Sequence, residues 1–128
     1  SEAVAATAGN KGLKLVIALN YSGRSEILKA AQMIGEDIRS GKLSSSHLTE
    51  SVFAGYLETG SMPDPELLIR TSGEMRISNF LLWQIAYTEL YITSKLWPDF
   101  RKEDLFEAIC AFQKRERRFG KVLETNRA

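Results

Sequence analysis

Short apolar runs alternate with amphipathic segments along this chain of 128 residues. Residues 13–19, LKLVIAL, form a nearly continuous apolar run that is rich in β-forming side chains, and two shorter apolar runs follow at residues 67–69 and 89–93. A short continuous run of this kind is typical of a strand that is buried on both faces of a parallel sheet. The pattern therefore predicts three strands.

Between these runs, and after the last one, apolar residues recur at the spacing of an amphipathic helix. This spacing occurs in four segments, residues 25–40, 44–56, 79–87 and 102–118. Ser25 and Ser78 stand where the first and third helices would begin, and a serine side chain can cap a helix. Cys110 falls on the apolar side of the last helix and is expected to be buried. Strands alternating with helices predict an α/β fold, with a parallel sheet flanked by helices.

Length and composition indicate one domain, residues 1–128, with an ordinary globular composition of 44% hydrophobic and 26% charged residues. A net charge of +1 gives no basis for a general nucleic-acid binder, which needs a marked basic excess. The single cysteine excludes an internal disulfide, and the single histidine, His47, excludes a histidine-rich metal site. No apolar run is long enough to span a bilayer.

Two polar loops follow predicted strands, residues 20–24 (NYSGR) and residues 70–76 (RTSGEMR). Ligands of parallel sheets bind at the carboxyl ends of the strands, so both loops are expected at the same edge. Arg70 and Arg76 flank two hydroxyl residues and a glycine, and Ser78 follows closely. Fixed positive charge, small hydroxyl donors and accessible backbone are what a protein needs to hold a diphosphate.

Each candidate also has a plain structural interpretation. The two arginines could simply pair with Glu66 and Glu74 in a solvated loop, and such surface pairs contribute little. Glu89 is either an exposed carboxylate at a strand end or a hard oxygen ligand that suits Mg²⁺. Asn20 and a neighbouring glycine could form a tight strand-to-helix turn, which leaves Arg24 to reach a phosphate or a carboxylate.

The order of residues in one long segment adds a family resemblance. Residues 64–100, DPELLIRTSGEMRISNFLLWQIAYTELYITSKLWPDF, resemble the signature of the cis-prenyltransferases, the undecaprenyl and dehydrodolichyl diphosphate synthase family. Weaker similarity extends to residues 13–27 and 112–120, so the resemblance spans nearly the whole chain. The family's N-terminal half has an Asp-Gly-Asn-Arg-type loop that this sequence lacks. The resemblance thus implies the C-terminal part of the cis-prenyltransferase fold.

The resemblance implies the condensation of isopentenyl diphosphate with an allylic diphosphate such as farnesyl diphosphate, with Mg²⁺ as cofactor, to make polyprenyl diphosphate. Glu89 would help to hold the metal, and Asn20 and Arg24 match the family's NYGGR loop, in which Ser22 replaces a glycine here. The chain would supply the isopentenyl diphosphate site and be inactive alone. The residues implied to bind isopentenyl diphosphate are Arg70, Arg76 and Ser78.

Further expectations concern partners and location. The resemblance implies a homodimer of the full-length enzyme, in the cytoplasm or peripheral to a membrane, with a plastid or the surface of the endoplasmic reticulum as further options. Two alternatives stay open. One is a non-catalytic partner subunit, although such subunits lose the substrate-binding motif that is intact here, and some act through an Arg-x-Gly ending that is absent here. The other is an α/β module that binds phosphorylated ligands without chemistry.

Overall fold

A computed structural model describes residues 2–115 as an α/β arrangement of helices around a small parallel sheet. The predicted fold class is thereby confirmed. Within the described residues, no helix combines the length and the apolar character needed to cross a membrane. The elements in chain order are α1 (Glu2–Thr7), α2 (Gly23–Arg39), a 3-10 turn (Ser45–His47), α3 (Glu50–Gly55), β1 (Leu67–Arg70), β2 (Glu89–Ile92), a 3-10 turn (Trp97–Asp99) and α4 (Lys102–Gln113).

The sheet consists of β1 and β2, which run parallel and correspond to two of the three predicted strands. Leu67 lies opposite Glu89, and Arg70 lies opposite Ile92. The ladder continues past the last pair, because the amide of Thr93 donates to the carbonyl of Arg70 at 2.9 Å. The side chain of Arg70 therefore starts at the carboxyl edge of the sheet, which is the edge where the diphosphate site is predicted.

Helix α4 packs against β2 through polar contacts. The amide of Arg101 donates to the Asp104 carboxylate at 2.8 Å, and this closes the first turn of the helix. Asp104 also forms an ion pair with Lys95, which follows β2. The hydroxyl of Tyr91 in β2 donates to Glu107 at 3.1 Å. The helix is thus fixed to the strand at two points along its length.

The remaining predicted strand, residues 13–19, does not form. The segment has no regular secondary structure, and Leu13 is 96% and Leu19 84% exposed. A continuous apolar run becomes a buried strand only when neighbouring strands pair with it on both sides. Within residues 2–115 no strand pairs with this segment, so the prediction of a strand here is wrong.

The helix predicted over residues 79–87 is also wrong, since turns occupy this segment. Ser78, Asn79 and Leu81 have φ angles of 47°, 63° and 44°, in the left-handed region that a right-handed helix cannot contain. Ser78 is therefore not a helix cap. The crossover from β1 to β2 consists of turns, and these turns bring polar residues back to the carboxyl edge of the sheet.

The start of α2 lies earlier than the sequence predicts. Ser22, and not Ser25, is the N-cap, and its Oγ accepts from the amide of Ser25 at 3.4 Å. Helix α3 is shorter than predicted, because it begins only after Thr49, whose hydroxyl accepts from the amide of Val52 at 3.2 Å. In both cases a residue with a side-chain oxygen in extended backbone sets the helix start, as is usual for N-caps.

The apolar core of the described residues is small. Its buried hydrophobic members are Ala30, Ile34, Leu57 and Ala108. Three polar side chains are buried with them, and they are Glu26, Gln84 and Asp104. Cys110 is exposed on α4, so the prediction that it is buried is wrong. The reason is that Asp104 and Ala108 form the enclosed side of this helix, which leaves Cys110 outside.

Gly23 is required at the start of α2 by close packing. A Cβ at this position would lie 2.9 Å from Cγ of Leu82 and 3.0 Å from the carbonyl oxygen of Asn79. Gly23→Ala should therefore destabilise the chain by about 1–3 kcal/mol, because the backbone on both sides must shift. Urea unfolding followed by circular dichroism measures this free energy.

Gly35 provides the matched control in the same helix. A Cβ at Gly35 would meet nothing within 4 Å, so Gly35→Ala should stabilise the helix by about 0.5–1 kcal/mol. Equal effects of the two substitutions would contradict the close packing at Gly23.

Candidate functional site

The three residues predicted to bind a diphosphate come together at the end of β1. The Nη1 atom of Arg70 donates to Oγ of Ser78 at 3.2 Å. The Nη2 atom of Arg70 forms an ion pair with one carboxylate oxygen of Glu74, and Arg76 forms an ion pair with the other oxygen. A single carboxylate thus holds both guanidinium groups in place. Glu74 was one of the two partners, with Glu66, that the plain structural interpretation proposed, and the pairing of both arginines with Glu74 is present.

The electrostatics of this cluster favour an anion. The hydrogen bond from Arg70 lowers the pKa of Glu74, and the charge of Arg76 lowers it further. Glu74 therefore stays ionised, and the three ionised groups carry one net positive charge. The Nε atom of Arg70 is buried and has no hydrogen-bond partner within the described residues. A buried donor without a partner is costly, so an incoming acceptor would be stabilised here.

A cavity of about 330 Å³ adjoins the two arginines. Both arginines line it, and its other lining residues are apolar. The apolar lining consists of Leu68, Met75, Ile77, Leu90 and Ile92. An apolar wall beside paired cations lowers the local dielectric and strengthens their attraction for an anion. The cavity therefore suits an anionic group that is attached to a short apolar one.

The loop between the arginines is fixed to the end of β2. The amide of Ser72 donates to the carbonyl of Lys95 at 2.7 Å, and the amide of Gly73 donates to the carbonyl of Thr93 at 2.8 Å. Both residues have left-handed backbone, with φ of 72° and 68°. These two amides are therefore not available to an anion, which corrects the expectation of accessible backbone here. An anion at this loop would therefore have to be held chiefly by side chains.

Asn79 connects the first polar loop to the crossover between β1 and β2. Its carbonyl accepts from the amide of Gly23 at 2.8 Å, its Oδ1 accepts from the amide of Arg24 at 2.9 Å, and its Nδ2 donates to Oγ of Ser22 at 2.8 Å. No strand precedes the first loop within the described residues, so its placement at the edge of the sheet beside residues 70–76 stays a prediction. The sequence analysis missed Asn79, although asparagine is one of the few residues that readily adopts the left-handed backbone found there.

Asn20 and Arg24 are exposed. Asn20 has a φ of 54°, which is the backbone of a tight turn. Within residues 2–115, the hydrogen bonds of these two residues do not reach Arg70 or Arg76. The observed geometry agrees with the turn interpretation, and a phosphate contact of Arg24 stays a prediction.

A buried polar cluster lies behind the first loop and was also missed. The Glu26 carboxylate, which is 4% exposed, accepts from the hydroxyl of Tyr21, from the amide of Glu58 at 2.9 Å and from Nε2 of Gln84 at 3.1 Å. Burial raises the pKa of the Tyr21 hydroxyl, and the bond to Glu26 raises it further, so Tyr21 stays a neutral donor. Nε2 of Gln84 also donates to Thr59 at 2.7 Å. The cluster connects α2 to the segment after α3 and to the crossover between β1 and β2.

Glu89 lies at the opposite edge of the sheet from the arginines. It pairs with Leu67, at the start of β1, whereas Arg70 ends that strand, and three residues of strand span about 10 Å. Its carboxylate forms an ion pair with Arg115 at 2.7 Å. Among the described residues, no three His, Cys, Asp or Glu side chains are placed to hold a metal ion. The metal role of Glu89 stays a prediction.

Comparison with known proteins gives one consistent family. The prenyltransferase family model, undecaprenyl diphosphate synthase, matches residues 1–120. The chain is 54% identical over 123 residues to the isoprenyl transferase of Chlorobaculum tepidum, and this match covers 96% of this chain and 46% of that protein. It is 56% identical over 120 residues to the isoprenyl transferase of Geobacter sulfurreducens, which covers 94% of this chain and 49% of that protein.

A solved structure agrees with these matches. Lavandulyl diphosphate synthase from Lavandula x intermedia, in complex with dimethylallyl diphosphate, superimposes with a TM-score of 0.89 at 39% identity. The superposition covers 94% of this chain and 52% of that one. The chain thus spans about half the length of the curated relatives it matches.

Proposed function

Because the chain belongs to the undecaprenyl diphosphate synthase family of prenyltransferases, we propose that it takes part in cis-prenyl chain elongation. The reaction condenses isopentenyl diphosphate with an allylic diphosphate, such as farnesyl diphosphate, and lengthens a polyprenyl diphosphate. The observation that supports this best is the convergence of Arg70, Arg76 and Ser78 beside a partly apolar cavity. The proposed role of this chain is to bind isopentenyl diphosphate.

In this role the arginines hold the diphosphate of isopentenyl diphosphate. A guanidinium group offers a planar pair of donors that matches two phosphate oxygens. Ser78 adds a hydroxyl donor, and the apolar side of the cavity receives the short hydrocarbon chain. Fixing both ends of the substrate orients its double bond towards the second substrate, and such orientation can supply a large part of a catalytic effect.

The proposal treats the chain as the C-terminal portion of such an enzyme, inactive alone. The proposed cofactor is Mg²⁺. Glu89 is proposed as one metal ligand, and that role requires it to leave Arg115 and to be joined by ligands from elsewhere. A homodimer of the full enzyme, with contact to a membrane surface and a cytoplasmic or membrane-peripheral location, completes the proposal. The intact pair of arginines favours the catalytic type over a non-catalytic partner subunit.

Calorimetric titration of the chain with isopentenyl diphosphate tests the proposal. We expect saturable binding, with farnesol, which has no diphosphate, as the negative control. Binding of isopentenyl diphosphate that is no tighter than binding of inorganic phosphate at the same ionic strength would contradict a diphosphate site.

Glu74 should compete with the substrate for the arginines. Its carboxylate occupies both guanidinium groups, so a diphosphate must displace it or bind despite its charge. Glu74→Gln removes that charge and should tighten the binding of inorganic pyrophosphate by about tenfold, which equals about 1.4 kcal/mol. Calorimetry at constant ionic strength measures the change.

Glu36 is the matched control, because it is an exposed glutamate of α2 that pairs with Arg39. Glu36→Gln should leave pyrophosphate binding unchanged. If Glu74→Gln binds pyrophosphate no better than the original chain does, competition by Glu74 is refuted.

A further inference from the structure

The turn between the two arginines rests on the segment that follows β2. The amide of Ser72 donates to the carbonyl of Lys95 at 2.7 Å, and the amide of Gly73 donates to the carbonyl of Thr93 at 2.8 Å. A Cβ at Gly73 would lie 3.7 Å from Cα of Ser94, which is van der Waals contact. The placement of this segment therefore determines the placement of the turn, and with it the positions of the arginines on either side.

The side chain of Lys95 fixes this segment to α4. Its Nζ atom forms an ion pair with Oδ1 of Asp104, whose Oδ2 accepts from the amide of Arg101 at 2.8 Å. Asp104 is buried, so its carboxylate is held in one orientation by the helix start and by the lysine. Loss of Lys95 would leave an enclosed carboxylate without its counter-charge, which is costly.

Lys95 thus connects α4 to the turn through both of its ends. Its ammonium group binds Asp104, and its carbonyl accepts from Ser72. Among the described residues, neither Lys95 nor Asp104 lines the cavity beside the arginines. An effect of this ion pair on an anion in the cavity must therefore pass through the position of the turn.

We propose that Lys95 and Asp104 are positioning residues for the anion site. Their ion pair holds the segment after β2 in place, so that the turn keeps Arg70 and Arg76 at the separation that a diphosphate requires. The inference rests on the proposed function, because the site concerned is the proposed isopentenyl diphosphate site. Cations that are already in place lose less conformational freedom when the ligand binds, and this raises the affinity.

Asp104→Asn distinguishes positioning from direct contact between Lys95 and the ligand. The substitution removes a negative charge and releases the ammonium group, while asparagine keeps an oxygen acceptor for the amide of Arg101. Direct contact, or an effect of overall charge, predicts tighter binding of isopentenyl diphosphate. Positioning predicts the opposite, a weakening of about fivefold to tenfold. Calorimetric titration at constant ionic strength measures the change.

Substitutions of Lys95 provide a second test that leaves the buried carboxylate in place. Lys95→Met should weaken binding by a similar factor, and combining it with Asp104→Asn should weaken binding no further, because both break one connection. Lys95→Arg should retain most of the affinity, since a guanidinium group pairs well with a carboxylate. Lys42→Met is the matched control, because Lys42 pairs with Asp37 at the end of α2, and it should leave binding unchanged.

Hydrogen exchange of backbone amides, followed by NMR, provides a readout that needs no ligand. In Lys95→Met the amide of Ser72 should exchange at least about tenfold faster, because its acceptor is no longer fixed. The amide of Glu89, which donates to the carbonyl of Glu66 at 3.1 Å at the other end of the sheet, should keep its protection. Equal loss of protection at both amides would indicate general destabilisation and would refute a positioning role.

Three further outcomes would overturn the inference. They are tighter binding by Asp104→Asn, equal losses of affinity in Lys95→Met and Lys42→Met, and unchanged exchange at Ser72 in Lys95→Met. If the original chain binds no isopentenyl diphosphate, the proposed function fails, and exchange at Ser72 then decides by itself whether the ion pair positions the turn. Failure of the positioning role and failure of the proposed function are therefore distinguishable.

Discussion

Arg70→Ala should weaken the binding of isopentenyl diphosphate to this chain by about 30-fold or more. Arg70 lies at the carboxyl edge of β1, is largely enclosed, and directs one Nη atom towards Ser78 and the other towards Glu74. Removal of one partner of a desolvated charge pair costs roughly 2–5 kcal/mol. The loss has two parts, since the diphosphate loses its guanidinium donors and Glu74 loses the partner that offsets its negative charge. Calorimetric titration measures the dissociation constant.

Two further variants separate geometry from charge. Arg70→Lys keeps the positive charge but loses the planar pair of donors, so it should recover only part of the affinity. Arg39→Ala removes an equal charge from the exposed end of α2, where Arg39 pairs with Glu36, and it should have little effect. Similar losses from Arg39→Ala and Arg70→Ala would mean that overall charge, and not this site, determines the affinity.

Glu26→Ala should destabilise the chain by about 3 kcal/mol or more. The substitution leaves the hydroxyl of Tyr21, the amide of Glu58 and the amide group of Gln84 without their shared acceptor. A buried donor that loses its partner costs about 1–3 kcal/mol; the bonds from Tyr21 and Glu58 are part-buried, and Gln84 keeps its bond to Thr59, so the three losses together reach about 3 kcal/mol. The total is a large part of the 5–15 kcal/mol by which domains are stable. Thermal and urea unfolding should both show the loss.

Glu36→Ala is the control for this second prediction. Glu36 lies in the same helix, but its carboxylate forms an exposed pair with Arg39, and such pairs contribute about 0–1 kcal/mol. If Glu26→Ala unfolds at the same urea concentration as Glu36→Ala, the buried cluster does not stabilise the fold in the way described.

The parts of the fold that the sequence predicted correctly are those that depend on local pattern alone. Residues 67–69 and 89–93 read as short apolar strands, and both form and pair in parallel. Helix α2 follows from the spacing of its apolar residues, of which Ala30 and Ile34 are buried. In these elements the residues that the apolar pattern places on one side are also the residues that tertiary packing covers. Local propensity and packing therefore favour the same structure.

The errors occur where tertiary context decides. Residues 13–19 have strand propensity, but a strand needs a partner, and the described residues offer none. Residues 79–87 have helical spacing, yet left-handed backbone at Asn79 and Leu81 excludes a helix. Spacing describes which residues share a face and does not report the φ angle at one position. The hydrogen bonds of Asn79 to the first loop, which connect residues far apart in sequence, determine this backbone instead.

The candidate site was partly predictable for the same reasons. Arg70, Arg76 and Ser78 are close in sequence, so a single turn after β1 is enough to bring them together. Their convergence on Glu74 was one of two interpretations that spacing left open. The cluster of Glu26 and Gln84 was not predicted, because its members lie on separate elements and only the folded chain places them in contact. Glu89 was grouped with the arginines by family resemblance, and the register of the sheet puts it at the other edge.

We propose that this chain holds a diphosphate between Arg70, Arg76 and Ser78. Titration of the ¹⁵N-labelled chain with isopentenyl diphosphate, followed through the backbone amide signals by NMR, tests this binding directly. We expect saturable shifts centred on residues 70–78, with the signals of residues 23–39 in α2 little changed beyond its first turn. Saturable shifts that are centred elsewhere, or a well-dispersed spectrum that does not change with added isopentenyl diphosphate, would contradict it.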